Sequence, residues 1–203
     1  MAKKREHEDR FNRYISVVLA VVIIAAVGIY AYTHLVEKEP ATSANDQSHV
    51  ELEETLLTIS VGSETFNYSL NQLIELDSIT GSGKYINKVG KITGPNSYTG
   101  VPMNELLGTI ESLPENYTLR AIASNGYSVN YSMDEVHGLV SVYNETGDEI
   151  GTENMTMIIA YKENGELLNQ TTSGPLRVAF VDGEAFITSS GMWLRSLVKI
   201  EII

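Results

Sequence analysis

The stretch AYKENGELLNQTTSGPLRVAF, Ala160 to Phe180, decides how the rest of the chain is read. It opens on the end of an apolar strand and turns tightly at Asn164-Gly165, residue types that tolerate the backbone of a sharp bend. A polar loop follows, and Gly174-Pro175-Leu176-Arg177 opens a second apolar strand. Just upstream, Met155 to Tyr161 is apolar on both faces at its end, the pattern of a central strand.

Working outward, Thr55 to Ser60 and Glu64 to Tyr68 read as strands around a Gly62 turn. Ser69-Leu70-Asn71-Gln72 is a capping box, and Leu70, Leu73 and Ile74 form a short helical stripe. Gly81 to Gly94 holds strand-like pieces punctuated by glycine. Pro102 suits the first turn of a helix with Met103, Leu106, Leu107 and Ile110 on one face. Tyr117 to Ala123 and Tyr127 to Tyr131 flank an Asn125-Gly126 turn, with Tyr127, Val129 and Tyr131 expected on one face. Ser132 to Glu135 is a second capping box, on a short helix ending at Gly138. Leu197 to Ile203 alternates, with Val198, Ile200 and Ile202 expected inward and Lys199 and Glu201 outward. Strands and short helices interleave without a regular βαβ rhythm, which predicts an α+β class with mixed β-sheets.

The N-terminal quarter differs. Residues 1–14 form a basic segment with Lys3, Lys4, Arg5, Arg10 and Arg13. Residues 15–32, ISVVLAVVIIAAVGIYAY, carry no charge and span ~27 Å as a helix, enough to cross a hydrocarbon core. Tyr14, Tyr30 and Tyr32 sit at the ends, where aromatic belts form. Basic residues before the apolar run and only Lys38 soon after it place the N-terminus in the cytoplasm. The expectation is a single-pass cell-membrane protein whose C-terminal domain lies outside, with the membrane as partner through 15–32. The apolar run is longer than that of a cleaved signal, and no good small-x-small site follows it. Residues 33–54 read as an acidic polar linker, and residues 55–203 as the globular domain.

Among the 203 residues there is no cysteine, which excludes disulfides, thiolate nucleophiles, iron–sulfur clusters and cysteine zinc sites. The four histidines (His7, His34, His49, His137) are scattered and suggest no metal site. Residues 33–203 hold 23 acidic and 9 basic residues, a balance of −14 that repels nucleic acid and anionic lipid. Six Asn-x-Ser/Thr sequons occur, at Asn67, Asn116, Asn130, Asn144, Asn154 and Asn169. Chance predicts roughly two, so the excess marks these asparagines as glycosylation candidates on an extracytoplasmic surface.

From Leu56 onward the chain resembles the oxidoreductase molybdopterin-binding domain of the sulfite oxidase type. The matching pieces are Tyr98-Thr99-Gly100-Val101-Pro102-Met103-Asn104-Glu105-Leu106-Leu107, Asn125-Gly126-Tyr127, Ile158-Ile159-Ala160-Tyr161 with Asn164-Gly165-Glu166, Gly174-Pro175-Leu176-Arg177, and Trp193 before the last strand. The resemblance implies that fold, molybdenum held by a pterin dithiolene and a protein cysteine, and cations around the pterin phosphate. Two departures stand out. The corresponding stretch, Lys88 to Ser97, lacks the cysteine, and Thr188 to Met192 before Trp193 holds no cation. A phosphate-bearing cofactor would therefore be short of its charge complement.

Individual residues have structural as well as functional readings. Arg177 suits a strand-end ion pair or carbonyl cap as well as a ligand contact. Trp193 suits core packing. Asp134 and Glu135 fit capping, Asp182-Gly183 fits a turn, and His137 fits a helix end. No serine, histidine and acid arrangement can be assembled, so no catalytic or metal residue is assigned. The leading expectation is a binding or accessory module of the cell envelope that takes a small ligand or envelope protein and carries no cofactor. Two alternatives remain. One is a molybdopterin-dependent oxidoreductase without a thiolate ligand, with cofactor contacts from Arg177, Arg195 and Tyr98 and an oxygen ligand from Asn96, Ser97 or Tyr98. The other is a glycosylated structural surface protein.

Overall fold

The computed structural model describes residues 54–203. The expected basic segment, the anchor and all of the linker but Glu54 lie outside the described residues. Among the described residues no helix is long and apolar enough to cross a membrane.

The alternating segments at the two ends of the domain pair with each other. β1 (Leu57–Val61) buries Leu57, Ile59 and Val61 and runs parallel to β13 (Leu197–Ile202). With β2 (Glu64–Tyr68), β5 (Leu119–Ala123) and β6 (Ser128–Tyr131) they form a five-stranded sheet in the order β2-β1-β13-β5-β6. The expected inward row Val198, Ile200, Ile202 is corrected. The register against β5 shifts between Leu197 and Lys199, so Leu197 joins Ile200 and Ile202 in the core and Val198 is half-buried. An irregularity of this kind resets the alternation of every residue before it.

The second sheet contains β3 (Ile79–Ile86), β4 (Ile92–Pro102), β7 (Leu139–Tyr143), β8 (Glu149–Asn154), β9 (Thr156–Glu163), β10 (Glu166–Leu167) and β12 (Ile187–Ser189). Its order is β10-β9-β4-β3-β12-β7-β8, and β11 (Arg177–Val181) also pairs with β9. β12 runs parallel to β3, so both sheets are mixed. β9 is flanked by β4 on one side and by β10 and β11 on the other, and its residues Met157 to Tyr161 are all buried. That is the central strand the apolar run predicts. Asn164 (φ 52°) and Gly165 (φ 86°) make the tight turn into β10.

The helices are short: α1 (Leu70–Glu75), α2 (Met103–Gly108) and α3 (Met133–Val136), with one 3-10 turn at Ser190–Met192. The architecture is mixed sheets with a few short helices, and the balance is mainly β, further from an even α+β mixture than the interleaved pattern suggests. Both capping boxes form, with Ser69 paired to Gln72 and Ser132 to Glu135. Met103, Leu106, Leu107 and Ile110 are buried, but Ile74 is 44% exposed, since a helix of under two turns presents only Leu73 squarely to the core. Tyr131 is fully buried, whereas Tyr127 lies before β6 and is 59% exposed. The two tyrosines therefore make no shared patch.

Gly100 is where β4 presses hardest on β9. A Cβ there would overlap the Ile159 carbonyl oxygen and the Ala160 Cα, beside the register shift between Thr99 and Gly100. Backbone cannot yield as a side-chain tip can. Gly100→Ala is expected to lower the unfolding free energy by about 3 kcal/mol in urea titrations. An unchanged midpoint would show that β4 and β9 are not in this contact.

Candidate functional site

The loop before β11 aims one cation inward. Asn169 O accepts from Ser173 and Gly174 amides, the Gly174–Pro175 bond is cis, and Leu176 O accepts from Leu197 N at 2.9 Å. Arg177 then pairs backbone to backbone with Arg195, fixed by Val178 N donating to Leu194 O at 2.8 Å. The Arg177 side chain enters the interior and is 2% exposed.

Three rings surround it. The guanidinium carbon lies 5.2 Å from the Tyr98 ring centroid, 5.2 Å from Trp193 and 5.9 Å from Tyr85. Each ring face attracts a cation, by about 0.5–2 kcal/mol depending on desolvation. Trp193 is held by its Nε1 donating to the buried Thr188 Oγ1 at 2.7 Å, and it packs on Tyr85 and Tyr98 at 4.9 and 5.2 Å. Room for the indole comes from Gly83, where a Cβ would stand 2.5 Å from Trp193 Cη2 and 2.8 Å from Phe180 O. Trp193 is thus core packing and cavity wall together.

The carboxylate on hand neutralises Arg177 poorly. Glu163 Oε2 is 3.9 Å from Arg177 Nη1, while its Oε1 accepts from Tyr98 Oη and Asn96 Nδ2 at 2.8 Å each. Arg177 Nε and Nη2 are buried without a hydrogen-bond partner. Buried donors left unmade cost about 1–3 kcal/mol each, comparable to what the rings return.

Arg177 borders a cavity of ≈ 370 Å³. Its walls carry Lys91, Arg177 and Arg195 as charges, with Tyr85, Trp193 and the polar Asn87, Thr93 and Ser190. Residues 54–203 contain eight Lys and Arg in total, so three of them meet here, and no carboxylate lines the wall. Lys91 is delivered by the β3–β4 hairpin, whose tip is folded by Asn87 Oδ1 accepting from Val89 N and Lys91 N. Arg195 Nη2 donates to Tyr85 Oη at 2.9 Å. The expected shortage of cations is therefore corrected: the segment before Trp193 has none, but a hairpin distant in sequence supplies one.

Arg177 and Arg195 are brought together at the cavity. Tyr98 is not on its wall: it is fully buried beneath the guanidinium. Asn96 is turned to Glu163 and Ser97 is exposed, its amide donating to Asn164 Oδ1, so neither reaches the cavity wall. Tyr85, Lys91, Asn87, Thr93 and Ser190 went unnoticed in the sequence, where nothing local marks them. Burial opposes ionisation of Tyr85, but the Arg195 hydrogen bond, the Arg177 charge, a hydrogen-bonding contribution from the Arg177 guanidinium and the Arg195 charge together outweigh it and lower its pKa. Burial is also the main reason that Tyr98 is pushed up to about 12. Among the described residues no group of three or more His, Cys, Asp or Glu side chains could hold a metal ion.

The fold resembles, at a distance, that of a molybdopterin oxidoreductase, and the likeness is one of fold alone. Among the solved structures that match is sulfane dehydrogenase SoxCD from Paracoccus pantotrophus, at 18% identity and a TM-score of 0.52. The match covers 80% of this chain and 40% of that one, so the chain spans less than half of its length. No protein-family model and no curated protein matches. The residues present fit a molybdenum centre poorly. The orphaned Arg177 donors, Arg195 and Lys91 suit a phosphate or another anion, but no thiolate exists to bind the metal.

The two tyrosines titrate in opposite directions. Tyr85 has a folded pKa below the unfolded value of 10.0, so its ionisation favours the fold above 10, and that contribution is lost as pH falls through the lowered pKa. Tyr98, raised to about 12, contributes stability below 10 that is lost as pH rises toward 12. In a tyrosinate absorbance titration Tyr85→Phe should remove absorbance from the part of the curve below the usual tyrosine range. If the early part of the curve survives that substitution, the placement of Tyr85 between Arg177 and Arg195 is wrong.

Proposed function

We propose that the chain is a single-pass, outward-facing membrane protein whose domain is a non-catalytic binding module for a small molecule bearing an oxyanion. The observation that carries the ligand class is Arg177: a cation 2% exposed, with two donors unmade, beside Arg195 and Lys91 in a cavity free of carboxylates. In a chain whose residues 33–203 balance at −14, such a concentration of positive charge needs an explanation that solubility does not supply. The cavity volume of ≈ 370 Å³ falls in the range of small-ligand sites, about 300–1,000 Å³. The membrane placement rests on the uncharged run 15–32 and the basic residues before it. The absence of cysteine, and with it of a thiolate ligand for molybdenum, supports a binding role over a redox one.

A second reading, a pterin-dependent oxidoreductase lacking a protein thiolate, is favoured by the same cations, which suit a pterin phosphate. Elemental analysis of the full chain purified from its own membranes separates the two readings. Stoichiometric molybdenum with released pterin would establish the second.

For the binding reading, thermal unfolding is followed at low ionic strength with inorganic phosphate, sulfate or acetate as probe. At a probe concentration 100 times Kd, stabilisation of about 2.7 kcal/mol is expected for the wild type. Arg177→Met should fold with a similar probe-free midpoint, since lost ring contacts and relieved orphan donors nearly cancel, and should lose the probe response. A response equal in both proteins, or absent for every oxyanion, contradicts the reading.

A further inference from the structure

The six sequons play no part in the anion site, yet the fold distributes them selectively. The edges of the first sheet are β2 and β6, and those of the second are β10 and β8. Asn67 lies in β2, Asn130 in β6, and Asn154 ends β8. These are the three asparagines inside edge strands of the described domain, and each heads a sequon. Asn96, inside the inner strand β4, does not. Asn169 follows β10 by two residues.

All four sequon asparagines at or beside edges are exposed. Asn67 accepts through Oδ1 from Thr58 Oγ1 at 3.0 Å, and Asn169 accepts through Oδ1 from the Thr171 amide and hydroxyl. Their amide nitrogens, the atoms a sugar would be joined to, are not drawn into these contacts. Asn144 is different: it is half-buried, and its Nδ2 donates to Asp148 Oδ2 at 3.2 Å, a bond that an attached sugar would disturb.

Edges are where such a modification would matter. An edge strand presents unpaired N–H and C=O groups that template pairing with another copy, unless something blocks approach. β6, Ser128-Val129-Asn130-Tyr131, carries no charge, and β8 exposes Ile150 at 61%. Resting on the outward-facing placement argued above, we propose that Asn67, Asn130 and Asn154 carry N-linked oligosaccharides, which shield the β2, β6 and β8 edges and keep copies of the domain from pairing along them. The chemistry is one displacement without redox change. The asparagine Nδ2 attacks the anomeric carbon of a sugar carried on a lipid phosphate or pyrophosphate. The C–N bond forms, the anomeric C–O bond breaks, the amide gives up a proton and the lipid phosphate departs.

The test begins with the full-length chain from its native membranes, mapped by peptide mass spectrometry. Carbohydrate is expected on the peptides holding Asn67, Asn130 and Asn154, with Asn144 bare. Protease protection in sealed vesicles reads orientation independently. An inward-facing domain overturns the outward placement and this proposal together, whereas an outward-facing domain with those three asparagines bare overturns this proposal alone. The combined variant Asn67→Gln, Asn130→Gln, Asn154→Gln is then compared with Asn144→Gln by sedimentation velocity. The triple variant should associate at a concentration at least about tenfold lower than wild type, while Asn144→Gln should not differ. Glycans whose removal leaves association unchanged would overturn the shielding role.

Discussion

The domain is arranged around one buried charge. Arg177 is taken out of water at the start of an otherwise apolar strand, and three aromatic faces and a carboxylate 3.9 Å away only partly compensate it. Several features follow. Gly83 has no side chain because Trp193 needs that space, Thr188 is buried to hold the indole, and Tyr98 fills the floor with its hydroxyl turned to Glu163. The backbone pairing of Arg177 with Arg195 brings the second cation to the same wall, and the β3–β4 hairpin brings the third. Removing a lone buried charge from water costs several kcal/mol, so an arrangement that leaves two of its donors unmade is a strained way to fill a core. It is a reasonable way to meet an anion.

Much of the fold was legible because its signals are local. Capping boxes at Ser69 and Ser132 are four-residue patterns, the Asn164-Gly165 turn is a two-residue pattern, and the double-sided apolar run before it announces a strand flanked on both edges. What escaped is long-range. The parallel pairing of β1 with β13 joins the first and last strands, and β12 lies between β3 and β7 although the three are far apart in sequence. The misplaced Val198 shows the limit of periodicity: one shift against β5 changes which residues face inward, and nothing in LVKIEI marks it.

The site was legible in part, for the same reason. Gly174 to Arg177 stands out as a motif, and Arg195 lies near Trp193, so both arginines could be named. Lys91 and Tyr85 could not be, because their value comes from a hairpin that folds back on a segment about a hundred residues later. The run Thr188 to Met192 is indeed without cations, but charge in a cavity is a sum over every wall. Tyr98 was placed by its motif yet lies one layer too deep, which a strand's alternation alone does not tell. The missing cysteine, by contrast, is a fact of composition and survives folding unchanged.

The acidic surface and the basic cavity fit together as one electrostatic design. On the proposed reading, the chain's excess of acidic residues discourages indiscriminate anion binding, while the aromatic walls lower the local dielectric and strengthen whatever pairs with Arg177. The most direct test of this account observes the orphaned donor itself. In a nitrogen-15 spectrum of arginine Nε–H groups at low salt, Arg177 should give a protected resonance that Arg177→Met removes. On addition of sulfate that signal should shift and saturate, while the exposed Arg120 moves little. An Arg177 resonance that exchanges freely with water, or that ignores sulfate, phosphate and acetate alike, would contradict the account.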